Sequence, residues 1–305
     1  MTRFSRILPA LCIVSMSWSP AAEAQNCQGR LATQAPLDDN DGFINMPVMI
    51  GGRPVTMLVD TGSDAGLFTA LGAARLGLHR DGSRQTVMQG TGGVGRTVPN
   101  VRYLDLVIGA LRLGGGSMPA GGLPGMPIVT PPVVGLLGAD VLSRFDVEFD
   151  LPRHRISFWS IPSDAATCAF PNGWGGSFDT IPLTRQGSRL TFTAILDGQP
   201  ISVLVDTGAR SRILSRQAAI RLGVDPEMLD GDPGGITAGV DLHEASYHWH
   251  RFSRLVIGSE TQRHPVLTVA PLDEPVDLLL GADWFADRDV LISYATNRMF
   301  VRHDR

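Results

Sequence analysis

The stretch Leu58-Val59-Asp60-Thr61-Gly62 decides how the chain is organised. The same five residues recur as Leu204-Val205-Asp206-Thr207-Gly208, 146 positions later (206 − 60). Each copy ends an apolar run, so each predicts a strand that leads an aspartate into a tight turn. One Asp-Thr-Gly would indicate little, because it is also an ordinary turn sequence. Two copies in matching surroundings indicate an internal duplication, in which two carboxyl groups occupy equivalent positions.

The residues around the two copies also match, in the same order and at nearly the same offset. Each copy is followed by a helical pattern that stops at a glycine, then by an apolar run, then by a Leu-Leu-Gly-Ala-Asp element. We expect Asp140 and Asp283, which end this element, to cap the short helices that follow. The matched pairs are 73–78 with 219–224, 106–109 with 255–258, and 136–140 with 279–283.

Each half is predicted to consist mainly of strands. Hairpins are expected at Val48 to Val59 and at Phe192 to Val205, and each half ends with a further strand pair. Two glycine-rich stretches, 90–95 and 234–241, are predicted hairpin tips; the first indicates a mobile flap, and the second fits a flap or a plain surface turn. The segment from Leu113 to Pro132, rich in Gly and Pro, predicts a long surface loop near the cleft or a disordered insert.

Composition excludes several classes of function. The 305 residues carry a formal net charge of −4 and no basic run, which argues against nucleic acid as a partner. All 26 basic residues are arginines, so neither Schiff-base chemistry nor a phosphate-binding loop ending in Gly-Lys-Ser/Thr is available. Histidines at 243, 248, 250 and 264 raise the question of a metal site, but the spacing fits strand or surface histidines better.

The N-terminus has the pattern of an export signal. Arg3 and Arg6 precede an apolar stretch from Ile7 to Val14, and Ala22-Glu23-Ala24 provides a small-x-small cleavage site. The stretch is too short to span a bilayer, so we expect no stable membrane association after cleavage. The periplasm is the expected location, with secretion as the alternative.

Cleavage after residue 24 would remove Cys12 and leave Cys27 and Cys168 as the only cysteines. In an exported chain this pair predicts one disulfide, and two free thiols are the alternative. Together with the repeat, this divides the chain into a signal peptide, an N-terminal lobe, a linker and a C-terminal lobe. The predicted bounds are 1–24, 25–160, 161–176 and 177–305.

The duplicated pattern resembles the aspartic proteases of the retropepsin type, with two halves fused in one chain. The resemblance covers nearly the whole sequence after the signal, and it implies a mainly β fold. Two homologous β-barrel lobes would be related by a pseudo-twofold axis, with one short helix after each Asp-Thr-Gly loop. It also implies that Asp60 and Asp206 face each other and act as the catalytic pair on a peptide or protein substrate, with no cofactor and no metal.

The resemblance assigns supporting roles to the rest of each loop. Thr61 and Thr207 would brace the loops across the lobe interface, and Gly62 and Gly208 would turn the backbone so that N–H groups point at the carboxylates. The fourth positions differ, because Ser63 offers a hydroxyl to its own aspartate and Ala209 does not. We therefore expect the two aspartates to bind their shared proton unequally. Asp64 would contact substrate backbone or pair with an arginine.

Three functional interpretations follow from these residues. The first is a monomeric aspartic endopeptidase whose two lobes pair within one chain. The second is a peptide-binding or regulatory protein that keeps the cleft but is catalytically weak. The third is a tandem dimer, in which each half pairs with a partner chain. Cleavage specificity does not follow from the sequence.

Overall fold

A computed structural model of the protein describes residues 29–93, 95–123, 125–160, 177–240 and 242–303. The predicted signal peptide, Cys27, Cys168 and the predicted linker lie outside these residues. Within the described ranges, no helix combines the length and apolar character needed to cross a membrane. The fold is mainly β with a few short helices, as the sequence predicts.

The first half of the chain contains eleven strands and two short α-helices. In chain order they are β1 (Arg30–Pro36), β2 (Asp38–Asn40), β3 (Phe43–Ile50), β4 (Arg53–Val59), β5 (Leu67–Thr69), α1 (Ala70–Leu76), β6 (His79–Met88), β7 (Arg96–Ile108), β8 (Leu111–Gly121), β9 (Val133–Leu137), α2 (Ala139–Leu142), β10 (Asp146–Asp150) and β11 (Arg155–Ser160). A single 3-10 turn, Leu151–Arg153, connects the last two strands.

The second half repeats this order with interruptions. Its elements are β12 (Phe178–Pro182), β13 (Thr184–Gln186), β14 (Arg189–Leu196), β15 (Gln199–Val205), β16 (Ile213–Ser215), α3 (Arg216–Arg221), α4 (Pro226–Gly231), β17 (Gly234–Ala238), β18 (Glu244–Arg251), β19 (Arg254–Ile257), β20 (Glu260–Arg263), β21 (Val266–Ala270), β22 (Leu278–Leu280), α5 (Ala282–Phe285), β23 (Asp289–Ser293) and β24 (Arg298–Arg302).

Each half folds its own sheet into a barrel-like lobe. In the first, the strands run in the order β2-β3-β4-β9-β5-β8-β7-β6, and an extra pairing of β3 with β7 closes the sheet on itself. In the second, the order is β17-β18-β21-β16-β22-β15-β14-β19-β20. The long hairpin β7–β8 of the first lobe corresponds to two shorter pairs, β18–β21 and β19–β20, in the second. The lobes thus share one topology.

A third sheet of six strands joins the lobes and reveals the symmetry between them. Its order is β1-β11-β10-β23-β24-β12, so the contributions of the two halves mirror each other. At its centre β10 and β23 are antiparallel, with Asp146 opposite Ser293, Glu148 opposite Leu291 and Asp150 opposite Asp289. Because Asp146 and Asp289 are equivalent in the repeat, the first and last of these pairs exchange under a twofold rotation. The pseudo-twofold axis therefore passes through the Glu148–Leu291 pair.

Both predicted helices are present; the glycine C-cap predicted for each is confirmed for α1, whereas the C-cap of α3 is Leu222. Thr69 and Ser215 are the N-caps of α1 and α3, and their side chains accept hydrogen bonds from the N–H groups of Gly72 and Ala218. Helix α1 ends at Gly77, whose φ of 68° is the left-handed conformation that glycine adopts without strain. Helix α4 was not predicted, although its start is typical in sequence. The Asp225 side chain caps the helix, and Pro226 occupies the first helical position.

The prediction of a long loop from Leu113 to Pro132 is wrong for its first half. Residues Leu111–Gly121 form β8, which pairs with β7, and Met118 within it is buried. The partner strand supplies the backbone hydrogen bonds, so tertiary pairing overrides the low strand propensity of glycine. Within the described residues, 122–132 lack a helix or strand.

The six-stranded sheet buries an unpaired carboxyl oxygen. Asp146 is 1% exposed; its Oδ1 accepts from the N–H of Ala295, and its Oδ2 has no partner. Burial raises the pKa of Asp146 from 3.8 to about 6. The folded state therefore binds a proton more tightly than the unfolded chain, so this contribution to stability is complete below about pH 4 and is lost as the pH rises through about 6.

We accordingly expect Asp146→Asn to reduce the loss of stability that the protein undergoes between about pH 4 and about pH 7. An amide keeps the acceptor for Ala295 and cannot ionise. The measurement is the urea midpoint as a function of pH, with Glu244→Gln as a control because Glu244 is an exposed strand residue. Parallel pH profiles for Asp146→Asn and the wild type would contradict the prediction.

Candidate active site

The two Asp-Thr-Gly loops leave the lobes at the ends of equivalent strands. Asp60 follows β4, which pairs in parallel with β9, and Asp206 follows β15, which pairs in parallel with β22. The backbone N–H of Asp60 donates to the carbonyl of Leu137 at 2.9 Å, and that of Asp206 donates to Leu280 at 3.2 Å. Both aspartates are thus held at the edge of their lobe, against the other lobe.

Backbone N–H groups donate hydrogen bonds to one oxygen of each carboxyl group. Oδ1 of Asp60 accepts from the N–H groups of Gly62 and Ser63, both at 2.9 Å. Oδ1 of Asp206 accepts from Gly208 at 3.0 Å and Ala209 at 3.2 Å. These bonds fix the orientation of the carboxyl groups and leave each Oδ2 for other partners.

The expected hydrogen bond from the Ser63 hydroxyl to Asp60 is not formed. That hydroxyl donates instead to the carbonyl of Ala65, at 2.9 Å. The two carboxyl groups therefore receive equivalent sets of backbone bonds, and the serine–alanine difference does not distinguish them through this contact. Serine hydroxyls commonly form hydrogen bonds with backbone groups of neighbouring residues, and this explains why Ser63 binds the carbonyl of Ala65 and not the Asp60 carboxyl group.

The structure brings Asp60 and Asp206 into direct contact across the pseudo-twofold axis. The two carboxyl groups lie within interaction distance of each other, so a proton held by one of them can be shared with the other through a hydrogen bond. The packing is so close that a Cβ atom on Gly62 would overlap the carboxyl of Asp206, and one on Gly208 would overlap that of Asp60. Two side chains far apart in the sequence thus form one acidic pair.

Burial and mutual repulsion keep a proton on this pair. Burial raises the pKa of Asp60 well above its usual range, and the neighbouring charge of Asp206 raises it further. Burial also raises the pKa of Asp206, against the lowering effect of the N–H groups of Ala209 and Gly208. The pair can therefore hold one proton and one negative charge at moderately acidic pH, the state that general acid–base catalysis requires.

The two threonines of the loops hold the lobes together beneath the aspartates. The hydroxyl of Thr61 donates to the carbonyl of Val205 at 2.8 Å, and the hydroxyl of Thr207 donates to that of Val59 at 2.7 Å. Each hydroxyl also accepts from the N–H of the other threonine, at 3.1 Å. Both side chains are buried, so four interlocking bonds set the distance between the loops.

Removing one of these hydroxyls should weaken the junction of the lobes. We expect Thr61→Val or Thr207→Val to lower the free energy of unfolding by about 1–3 kcal/mol, since valine keeps the shape and leaves a buried N–H and a buried carbonyl unpaired. Urea unfolding measures the change. Thr180→Val is the control, because Thr180 is an exposed strand residue. Equal unfolding midpoints for all variants would contradict the prediction.

The residue after each loop also reaches the other lobe. Asp64 accepts a hydrogen bond from the hydroxyl of Ser188 at 2.7 Å, and its Oδ2 lies 3.7 Å from Nε of Arg189. Its equivalent, Arg210, donates through Nε to the carbonyl of Asp41 at 2.8 Å. Asp64 therefore pairs with an arginine, one of the two roles expected for it.

The predicted capping role of Asp140 and Asp283 is wrong. The N-caps of α2 and α5 are Gly138 and Gly281, and neither helix has a side-chain cap. Asp140 instead accepts from the N–H of Gly66 at 2.9 Å, and Asp283 pairs with Nε of Arg212 at 2.9 Å. Both aspartates tie a helix to the segment that follows the Asp-Thr-Gly loop of the same lobe.

Two hairpin tips cross from one lobe to the other above the aspartates. The tip between β6 and β7 is held by Asp273, whose N–H donates to the carbonyl of Thr91 at 2.8 Å. The tip between β17 and β18 places Val240 against the apolar cluster of Phe43, Leu58, Leu67 and Leu136 in the first lobe. The first glycine-rich stretch is a hairpin tip, as predicted, but most of the second, Gly234–Ala238, forms β17, and only its end belongs to a tip. Both tips contact the opposite lobe.

Other polar clusters do not offer the same chemistry. His248 and His250 lie on β18, where their Nδ1 atoms contact the carbonyl and the carboxylate of Asp232 at 3.0 and 2.6 Å. Among the described residues, Glu148, Asp150 and Asp289 come close enough to share a cation. Arginines already pair with this acidic triplet, since Arg155 binds Asp150 at 2.7 Å and Arg302 binds Asp289 at 3.0 Å. A cavity of about 590 Å³ lies at another surface, and neither catalytic candidate lines it.

Comparison with known proteins agrees with this geometry. The family model described as "Aspartyl protease" matches two stretches, 46–141 and 192–284, which together make up more than half of the chain. The stretches begin at Met46 and Phe192, positions that the internal repeat aligns. No curated protein matches the chain. A duplicated β fold with two facing Asp-Thr-Gly loops defines an aspartic protease of the retropepsin type. The chain belongs to the aspartyl protease family, as two fused halves.

Proposed function

We propose that the protein is an aspartic endopeptidase, which hydrolyses peptide bonds with a water molecule activated between Asp60 and Asp206. The observation that carries the proposal is the close approach of the half-buried carboxyl group of Asp60 to the buried carboxyl group of Asp206. Burying two acids side by side is costly, and the pair is stable only if it keeps a proton. A shared proton between equivalent carboxyl groups is suited to acid–base catalysis.

In the proposed reaction the ionised carboxyl takes a proton from water while the water oxygen attacks the peptide carbonyl. The protonated carboxyl donates to the developing oxyanion, so a neutral tetrahedral intermediate forms. The C–N bond then breaks as the pair donates its proton to the amine nitrogen and accepts a proton from one hydroxyl of the intermediate, so that the products are an amine and a carboxylic acid. The pair returns to its starting state of one proton, and no covalent bond to the enzyme is made.

The substrate would lie in the cleft between the lobes as an extended segment. The hairpins β6–β7 and β17–β18 close this cleft, and their tips carry backbone N–H and C=O groups that can pair with a peptide in strand-like fashion. Entry requires at least one tip to leave its contact on the opposite lobe. The remaining residues of the two loops would hold Asp60 and Asp206 in position. They are Thr61, Gly62 and Ser63 in one loop and Thr207, Gly208 and Ala209 in the other.

The test is hydrolysis of unfolded protein and of a peptide mixture by the purified chain over a broad pH range. We expect internal cleavage with a bell-shaped pH dependence, and inhibition by a peptide that carries a hydroxyl group in place of the scissile carbonyl. Hydroxylamine should trap no acyl-enzyme. Peptide binding without cleavage at any pH would instead establish a binding protein.

We propose further that the enzyme acts as a monomer outside the cytoplasm. The supports are the pairing of Asp60 with Asp206 of the same chain and the export pattern of the first 24 residues. Analytical ultracentrifugation combined with activity decides the first point, because activity confined to a dimer fraction would favour pairing between chains. Fractionation of producing cells decides the second.

A further inference from the structure

The two halves differ at one pair of equivalent residues beside the aspartates. Strand β3 begins at Phe43 and β14 begins at Arg189, and the repeat aligns these positions. Each contacts the residue that follows the loop of the other lobe. The guanidinium of Arg210 lies 5.1 Å from the ring centre of Phe43, and Nε of Arg189 lies 3.7 Å from a carboxylate oxygen of Asp64. The two contacts are related by the pseudo-twofold axis but differ in chemistry. One joins an arginine to an aromatic ring, and the other joins an arginine to a carboxylate.

A second contact of each residue differs in the same way. Arg189 forms an ion pair with Glu274, Nη1 to Oε2 at 3.0 Å, in the loop that precedes β22. In the corresponding loop before β9, a Cβ atom on Gly125 would lie 3.7 Å from Cζ of Phe43. The loop before β9 therefore brings a glycine to the ring of Phe43, whereas the loop before β22 brings a carboxylate to the guanidinium of Arg189. The ion pair is reachable, since its side chains are 19% and 16% exposed.

The surroundings extend this difference to the walls of the cleft. Around Phe43 the buried cluster is apolar and includes partly buried Met88, Leu123 and Val240 from the hairpins and the loop. Around Arg189 the charge is negative, because Asp64 and Glu274 provide two carboxylates against one guanidinium. Glu274 lies close enough to Asp206 that its charge adds to burial in raising the pKa of that aspartate.

We propose that Arg189 and Glu274 determine substrate specificity, so that the protein cleaves where a basic side chain lies on one side of the scissile bond and a large apolar side chain on the other. The inference rests on the proposed protease function. An extended peptide across Asp60 and Asp206 meets the apolar cluster of the first lobe and the ionic pair of the second. An arginine or lysine can approach the second carboxylate oxygen of Glu274 and is favoured by the excess of negative charge.

The experiment compares peptides that differ only in the residue facing the second lobe: arginine, norleucine or glutamate. We expect the wild type to cleave the arginine peptide with a kcat/KM about tenfold above that of the norleucine peptide, and the glutamate peptide most slowly. Glu274→Gln should remove most of the preference for arginine. Glu260→Gln is the matched control, because Glu260 pairs with Arg288 away from the cleft.

The chain itself suggests a second variant. Arg189→Phe combined with Glu274→Gly replaces the ion pair of the second lobe with the residue types that meet at Phe43 in the first lobe. This double variant should shift the preference from arginine to norleucine. Thermal unfolding of each variant checks that it is folded. Unchanged preferences in both variants, or a wild type that favours glutamate, would overturn the inference.

Failure of the proposed protease function can be distinguished from failure of the specificity inference. A wild type that cleaves no peptide contradicts that function, but binding of the same peptides, measured by fluorescence anisotropy, still decides whether Glu274 selects a basic side chain. Tighter binding of the arginine peptide that is lost in Glu274→Gln would support the selection without catalysis. Equal binding of all three peptides would refute it.

Discussion

Asp60→Asn and Asp206→Asn should each lower kcat for peptide hydrolysis by about 10³-fold or more. An amide in the pair can neither accept the proton of the attacking water nor return it to the leaving amine. Its Oδ1 atom can still accept the two backbone N–H groups of its loop, so the fold should persist. Each variant should also lose the bell-shaped pH dependence, because the shared proton is gone.

The assay is initial rates on one peptide, with the wild type and a conservative control measured beside the two variants. Asp38→Asn is a suitable control because that residue is exposed and belongs to another surface. Thermal unfolding should show both active-site variants folded, since replacing one acid relieves the repulsion within the pair. Residual activity close to that of the wild type in either variant would refute a mechanism that needs both carboxyl groups.

Gly62→Ala and Gly208→Ala should reduce both the stability and the activity of the protein. A Cβ atom at either position would overlap the carboxyl group of the opposite aspartate. The loops cannot easily separate, because Thr61 and Thr207 fix their distance through buried hydrogen bonds. We expect a loss of about 3 kcal/mol of stability from overpacking, and about 10²-fold in kcat from displacement of the pair.

Urea unfolding and peptide hydrolysis measure the two effects separately. Gly82→Ala is the matched control, since a Cβ atom there would meet no other group within 4 Å. The control should match the wild type in both assays. Full activity of Gly62→Ala would mean that the two carboxyl groups are farther apart during catalysis than the structure places them.

Sequence reasoning could predict the features that repeat. Alternation of apolar residues, turn glycines and the doubled motif were enough for the hairpins at β3–β4 and β14–β15 and for the two loops. The duplication showed that Asp60 and Asp206 occupy equivalent positions, and the resemblance to retropepsin-type proteases implied that they face each other as a pair. The caps of α1 and α3 follow from local chemistry, which the sequence contains in full.

Contacts between residues far apart in the sequence were not predictable in this way. The pairing of β8 with β7 depends on the partner strand. The Arg189–Glu274 ion pair joins positions 85 residues apart. Aligning the halves would have revealed the exchange of Phe43 for Arg189, but the partner of that arginine required the structure.

The six-stranded sheet contains strands from both halves of one polypeptide. This covalent connection affects how activity depends on enzyme concentration. In an assembly of separate subunits the two acids meet only as often as the subunits encounter one another, so specific activity falls on dilution. Here the connection between the halves sets a local concentration of one carboxyl around the other, typically in the millimolar range or above for tethered partners. Turnover per molecule should then be the same at picomolar and micromolar enzyme.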